Sequence, residues 1–242
     1  MQRDIYKKLY YLENNHWWFK GRRRIISDII KKLFSKKEKI KILDVGCGTG
    51  SEIEFFSNFG QVIGIDSSKE AIDLCLHRGL EDKVVEANAK KLPFIDESFN
   101  LVLILDILEH IQCPNSAILE ICRVLKKEGF AIFTVPAYNF LWSEHDKISG
   151  HYRRYNIKDL RSTLELKGFR TIKISYFNNF LFCFIFLLRK FKNLIRSKST
   201  DLEIPPMFIN YLLELIFSSE RFFLKYFNFP FGVSVIAIIQ KI

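Results

Sequence analysis

The stretch Asp44-Val45-Gly46-Cys47-Gly48-Thr49-Gly50 carries the most chemically specific spacing in the chain. Alternating glycines let a backbone turn sharply and let a ligand lie directly against it. The Gly-x-Gly-x-Gly spacing departs from the Gly-x-Gly-x-x-Gly fingerprint that seats a dinucleotide pyrophosphate on a helix N-terminus. Asp44 stands two positions before Gly46. A pyrophosphate would be repelled by it, whereas a cationic amino-acid tail would be attracted. Asp66 follows Gly46 by twenty residues, where a second strand should bring a carboxylate to ribose hydroxyls.

These residues need a strand, a turn and a helix to hold them. Ile42, Leu43 and Val45 read as a buried strand, and Ser51 to Phe59 as a short amphipathic helix. Further strands are expected at Gln61 to Ile65, Lys83 to Asn88, Leu101 to Leu108, Phe130 to Val135, Phe169 to Tyr176 and Ser234 to Ile239. Helices are expected at residues 4 to 13, Gly21 to Phe34, Ser68 to Arg78 and Asn115 to Lys127, the last stopped by Gly129. Asn156 to Lys167 should be another, ended by Gly168. Strand and helix alternate as in an α/β nucleotide-binding domain.

The ordered set resembles the class I S-adenosylmethionine-dependent methyltransferases. Asp44 to Gly50 is similar to that family's first motif and Gly64-Ile65-Asp66 to its second. Asn88-Ala89 followed by Leu92-Pro93-Phe94 stands where the family holds adenine, and Leu105 to Ile111 where it has a fourth motif. The resemblance covers about residues 40 to 137. It implies a doubly wound, seven-stranded Rossmann-like sheet in the order 3-2-1-4-5-7-6, with S-adenosyl-L-methionine as cofactor. On it, Asp44, Gly46, Gly48, Gly50, Asp66, Ser67, Asn88, Ala89 and Asp106 bind the cofactor. Asn88 replaces an acid common at that position, but an amide oxygen can still accept from an adenine amine.

His16-Trp17-Trp18-Phe19-Lys20-Gly21-Arg22-Arg23-Arg24 resembles the N-terminal lid of a small bacterial subgroup of the family. That likeness places Trp18, Phe19 and one of Arg22 or Arg23 against the methionine moiety. Aromatic packing between two helices is the competing reading. Downstream, Pro136 to Tyr155 is a long segment crowded with titratable and aromatic side chains, beginning at a strand's carboxyl end. Its His-x-Arg-Arg-Tyr run, paired with the His-Trp-Trp-Phe run, resembles a subgroup associated with surface-glycan and lipid-linked biosynthesis. His110, His145, Asp146 and His151 are therefore candidate catalytic residues, and Arg153 and Arg154 candidate holders of an anionic substrate group. The gap between His145 and His151 matches no common zinc signature, so no metal is expected.

Composition bounds the rest. The 242 residues are 48% hydrophobic, enough for one core with appendages. Residues 1 to 41 hold 13 Lys and Arg against four acids, and the remainder is nearly neutral. Anionic lipid, nucleic acid or a negatively charged substrate would all suit such a face. Cys47, Cys75, Cys113, Cys122 and Cys183 show no Cys-x-x-Cys pair and read as buried free thiols in a reducing compartment. Met1 to Lys8 is polar, so no leader is expected.

Three units are expected: a basic helical lid at 1–38, the cofactor-binding domain at 39–176 and 232–242, and a Phe-rich helical insert at 177–231. Phe180 to Leu188 is an apolar run followed by Arg189, Lys190, Lys192, Arg196 and Lys198. It is too short to cross a bilayer and suits a membrane interface, or else a helical hairpin or dimer contact. The expected activity is methyl transfer to an oxygen of a small-molecule, glycan or lipid-linked acceptor, in the cytoplasm or at the cytoplasmic face of an anionic membrane. An RNA methyltransferase and a catalytically silent cofactor-binding partner are the alternatives. Nucleic acid is disfavoured because no Asn-Pro-Pro-Tyr motif and no Pro-Cys nucleophile occur.

Overall fold

The computed structural model describes residues 3–34, 39–165, 168–194 and 203–242. Ile40–Val45 forms β1, with every residue but Lys41 buried, as befits a central strand covered on both faces. Gly60–Asp66 (β2), Val84–Glu86 (β3), Phe99–Leu105 (β4), Leu125–Pro136 (β5), Phe169–Phe177 (β6) and Ser234–Lys241 (β7) complete the sheet. Its order is β3-β2-β1-β4-β5-β7-β6, as the family resemblance implied. The first five strands run parallel, and β7 lies antiparallel between β5 and β6. Strand order reverses between β1 and β4, so a crevice opens above their carboxyl ends.

Helices Arg3–Leu12 (α1) and Trp17–Leu33 (α2) precede the sheet. Ser51–Phe56 (α3), Lys69–His77 (α4), Asn115–Val124 (α5), Glu144–Ser149 (α6) and Ile157–Leu164 (α7) follow along the chain. Phe182–Leu194 (α8) and Met207–Leu224 (α9) lie in the insert before β7. Phe56, Phe133, Phe177 and Phe217 are among the largest fully buried side chains.

Three expectations need correction. The helix expected to begin at Gly21 begins at Trp17, because His16 caps it: its Nδ1 accepts from Trp18 N at 3.2 Å. The helix expected to run to Lys127 stops at Val124, and Leu125 already pairs with Phe99 in the sheet. The extra residues before Phe130 are taken up in a register shift opposite Phe99 and Leu101. The thiols are not uniformly buried, since Cys113 and Cys183 are exposed while Cys47 and Cys75 are inside.

The two added segments meet. A Cβ on Gly21 of α2 would lie 2.3 Å from the Phe217 ring of α9, so only glycine permits this approach. Glu214 on α9 is buried and pairs with Lys20 at 2.7 Å and Arg24 at 2.5 Å. Asn210 accepts from Trp17 N at 2.9 Å, and the Trp17 ring packs edge-on to Phe217. Arg196 and Lys198, two of the basic positions read as interfacial, lie outside the described residues.

Candidate active site

The glycine turn has the geometry its spacing requires. Gly46, Gly48 and Gly50 all have positive φ, at 77°, 55° and 86°. A Cβ on Gly46 would strike Ile107 at 2.1 Å. Gly50 does not line the central cavity; it caps α3 and presses against Leu80, where a Cβ would sit 2.5 Å away. Its positive φ and this packing give it a conformational role at the start of α3.

Asp44 and Asp66 stand at the ends of β1 and β2, on the wall of a cavity of about 1030 Å³. Asp66 is oriented by backbone donors, with Gly48 N at 3.1 Å from Oδ2 and Ser68 N at 2.9 Å from Oδ1. Asp44 is buried and its Oδ2 has no partner among the described residues. Burial, reinforced by the Glu52 carboxylate, pushes its pKa well above the ordinary range, with Arg22 opposing. Such a group is suited to receive a cation from the cavity.

Trp18, Phe19 and Arg22 also line the cavity. The Arg22 guanidinium lies 4.6 Å from the centre of the Trp18 ring. Its Nη2 donates to Glu52 at 2.7 Å and its Nη1 to Asp106. Arg23 donates to the other Glu52 oxygen at 3.1 Å and to Ser51 Oγ at 2.7 Å. The two arginines, one of which was expected against the methionine moiety, are thus held by protein acids, and Arg22 Nε alone of its nitrogens lacks a partner among the described residues. Asp106 adopts φ +59° at the tip of β4, which aims its carboxylate at Arg22, and Thr134 Oγ1 donates to it at 3.1 Å.

On the far side, Ser67, Asn88 and Ala89 line the cavity beyond β2 and β3. Ser67 and Asn88 are exposed, and Asn88 Oδ1 already accepts from Lys90 N at 2.9 Å. One lone pair of that oxygen is left for an adenine amine.

The long segment after β5 brings His145 and His151 into the cavity opposite His110. The His110 and His151 rings lie edge to face with centroids 4.6 Å apart. Burial above all, then His151, lowers His110 to about 3, so its imidazole is neutral. Asp146 does not reach the cavity. It is fully buried and accepts from Arg154 Nε and Nη2 at 2.8 Å each, from Ser143 N at 2.8 Å, and pairs with His151 Nδ1 at 2.8 Å. Those partners hold its pKa below the ordinary range against the cost of burial. Asp146 is therefore a fixed anion under the site and not the general base that its sequence position suggested. Arg154 is spent on the same pair, and Arg153 donates to the Gln112 carbonyl, so the expected anion clamp is not assembled by this pair.

Two acids, Glu13 and Glu52, were missed in the sequence, whereas Glu109 lies in the stretch Leu105 to Ile111 already singled out. Glu13 of the segment after α1 reaches the glycine turn and accepts from Ser51 Oγ at 2.6 Å and from Thr49 Oγ1. Glu52 pairs both arginines, and Glu109 lies buried in the Leu108–His110 turn. Only the Glu52 and Glu109 positions inside motif-like stretches hinted at this; nothing local marks Glu13.

The sequence matches the family described as Methyltransferase domain over residues 43–133. An uncharacterized protein of Methanocaldococcus jannaschii is 33% identical over 170 residues, covering 67% of this chain and 80% of that one. A ubiquinone biosynthesis O-methyltransferase of Alkalilimnicola ehrlichii is 35% identical over 113 residues, covering 44% of this chain and 46% of its own length. The structure of YcgJ from Bacillus subtilis superposes with a TM-score of 0.56 at 17% identity, over 89% of this chain and 96% of that one. The chain spans less than two thirds of the length of other curated relatives, the ubiquinone enzyme among them.

Proposed function

The chain belongs to the class I S-adenosylmethionine-dependent methyltransferases, and we propose that it methylates an oxygen of a small-molecule, glycan or lipid-linked acceptor. The observation that carries this reading is one continuous cavity. Its near end, above β1 and β2, holds the glycine turn, Asp44 and Asp66; His110, His145 and His151 line its far end, on the side of β4 and β5, and Phe184, Ile185 and Leu188 of the insert line it as well.

The near end fits the cofactor. Asp44, with an unmatched buried oxygen, suits the ammonium of the methionine moiety, and Asp66 suits ribose hydroxyls. Trp18 and Phe19 roof that end, and Asn88 and Ala89 flank it. The cofactor supplies a methyl group already activated by its sulfonium. What remains for the protein is to align the acceptor and take up a proton. The imidazole of His145 or His151 at the far end can accept that proton, while the apolar insert side chains receive the acceptor's hydrophobic part. Similarity to an O-methyltransferase supports oxygen as the methylated atom.

The alternative acceptor, RNA, draws only on the basic N-terminal segment. Arg22 and Arg23 there are buried on Glu52, and the partly exposed Lys20 and Arg24 pair with Glu214, so four of its cations are already matched by protein acids. The insert offers a different surface. Leu187, Phe191 and Phe208 are 64%, 60% and 76% exposed, with Lys190 exposed beside them. No helix among the described residues is long and apolar enough to cross a membrane. These faces suit the anionic cytoplasmic surface of a bilayer, from which a lipid-linked acceptor could enter.

Incubating the protein with methyl-labelled cofactor and fractionated extracts tests the reading. Label should pass into an organic-soluble or water-soluble small acceptor as an O-methyl ether or O-methyl ester. Label confined to RNA, or to nitrogen, would overturn it.

A further inference from the structure

Glu109 is completely buried, and neither of its carboxylate oxygens has a hydrogen-bond partner among the described residues. Leaving a buried carboxylate unmatched is costly, so whatever faces it matters. Ligand-capable atoms of Glu109, His110 and His151 all lie within 4.8 Å of one another. All three residues line the cavity, at the end where the acceptor is placed above.

His151 is already prepared. Its Nδ1 lies 2.8 Å from the acceptor-only carboxylate of Asp146, which makes Nδ1 the protonated nitrogen and leaves the Nε2 lone pair available. Asp146 cannot swing away, since Arg154 and Ser143 hold it. A carboxylate that orients an imidazole from behind is the usual outer partner of a metal-binding histidine. This also accounts for a buried Asp146–Arg154 pair beneath a catalytic cleft.

We propose that Glu109, His110 and His151 form a site for one divalent first-row cation such as Mn2+, Fe2+, Co2+ or Zn2+. Two imidazoles and one carboxylate are a donor set these ions accept with coordination positions left open. Bond lengths of about 2.0 to 2.2 Å bring the three donors closer together than they now stand, by rotation of their side chains. The open positions face the cavity and would be filled by water or an acceptor oxygen. That choice of acceptor rests on the O-methylation reading; the cation site itself does not. With two of the three imidazoles engaged, uptake of the acceptor's proton falls to His145, whose ring lies 5.8 Å from that of His151.

The expectation of no metal weighed only the local spacing of His145, Asp146 and His151. The donors that meet come instead from the tip of β4 and from the far end of the long segment after β5.

The test uses the full-length protein stripped with a chelator. Co2+ is titrated and followed by its visible absorption, and Mn2+ by loss of the free-ion magnetic resonance signal. One ion per chain should bind, and Glu109→Gln, His110→Asn and His151→Asn should each weaken binding at least tenfold. His151→Cys should add a sulfur-to-cobalt band in the near ultraviolet, a gain that misfolding cannot produce. Absence of stoichiometric uptake by folded wild-type protein overturns the site, as does uptake unchanged in all the variants. Calorimetry with S-adenosylhomocysteine on the same preparation reads the methyl-donor assignment separately: cation uptake without cofactor binding would count against that assignment and leave the cation site standing.

Discussion

Arg154 grips Asp146 through two hydrogen bonds of 2.8 Å, Nε to Oδ1 and Nη2 to Oδ2, and both side chains are buried. The pair ties the Tyr155 end of the long segment to the first turn of α6 and sets the ring of His151. Removing one member leaves the other as an uncompensated buried charge, at a cost of about 3 to 5 kcal/mol. Arg154→Met should therefore lower the urea midpoint strongly. Arg154→Met combined with Asp146→Asn should lose less than the sum of the single changes. Additive losses would mean that the two side chains do not act as a pair.

Asp44 should govern cofactor affinity more than stability. Burial raises its pKa and leaves Oδ2 unmatched on the cavity wall, so a positive group bound there would draw it into the ionised form. Hydrogen bonds to charged groups contribute about 1.5 to 3 kcal/mol, so Asp44→Asn should weaken binding of S-adenosylhomocysteine about 10- to 100-fold in calorimetry. The same variant should unfold at the wild-type urea concentration or above it, because a neutral amide is easier to bury.

Glu220 should make stability depend on pH. It is buried in α9, its Oε1 accepts from Phe180 N at 2.8 Å, and burial pushes its pKa from 4.5 up to about 7. A carboxyl whose folded pKa is raised binds its proton more tightly when folded, so stability is full below about 4.5 and is lost as pH rises through 7. Urea midpoints of the wild type should fall between pH 5 and pH 8. Glu220→Gln, which keeps the acceptor oxygen without the charge, should flatten that fall and exceed the wild type at pH 8. Parallel profiles would assign the pH dependence to other groups.

The insert should attach the protein to anionic vesicles. Burying one large apolar side chain contributes about 1.5 to 3 kcal/mol, and each nearby cation about 1 kcal/mol at an anionic surface. Co-sedimentation should be strong with anionic liposomes, weaker with neutral ones, and reduced by salt. Leu187→Ser with Phe191→Ser should release the protein, since both side chains are exposed and their loss leaves the core intact. Wild-type protein that stays in the supernatant at low salt would return these faces to another role.

Much of the fold was legible because its signals are local. A buried β-branched strand, three alternating glycines and an acid at each strand end are read within one strand–turn–helix unit, and they sit in the structure where that unit puts them. The helix expected from Asn156 also starts there, where Asn156 caps α7 by accepting from Asp159 N at 2.9 Å. The start of α2 was missed because histidine is an uncommon cap, and the end of α5 because Lys126, Lys127 and Glu128 carry helix-compatible side chains on what became strand.

The partners of charged side chains were not legible. Nothing near Arg22 in the chain says that Glu52 and Asp106 will neutralise it, and nothing near Asp146 says that it will be sealed under His151. Periodicity tells which face of an element is apolar, whereas pairing of buried charges depends on which elements the sheet order brings together. The sequence by itself determined the glycine turn and its acids, and the family resemblance those motifs carry implied the strand order. Only the tertiary structure decided that α2 packs on α9, that Asp146 serves another residue, and that Glu109, His110 and His151 converge, because those contacts join segments whose separation along the chain carries no spacing rule.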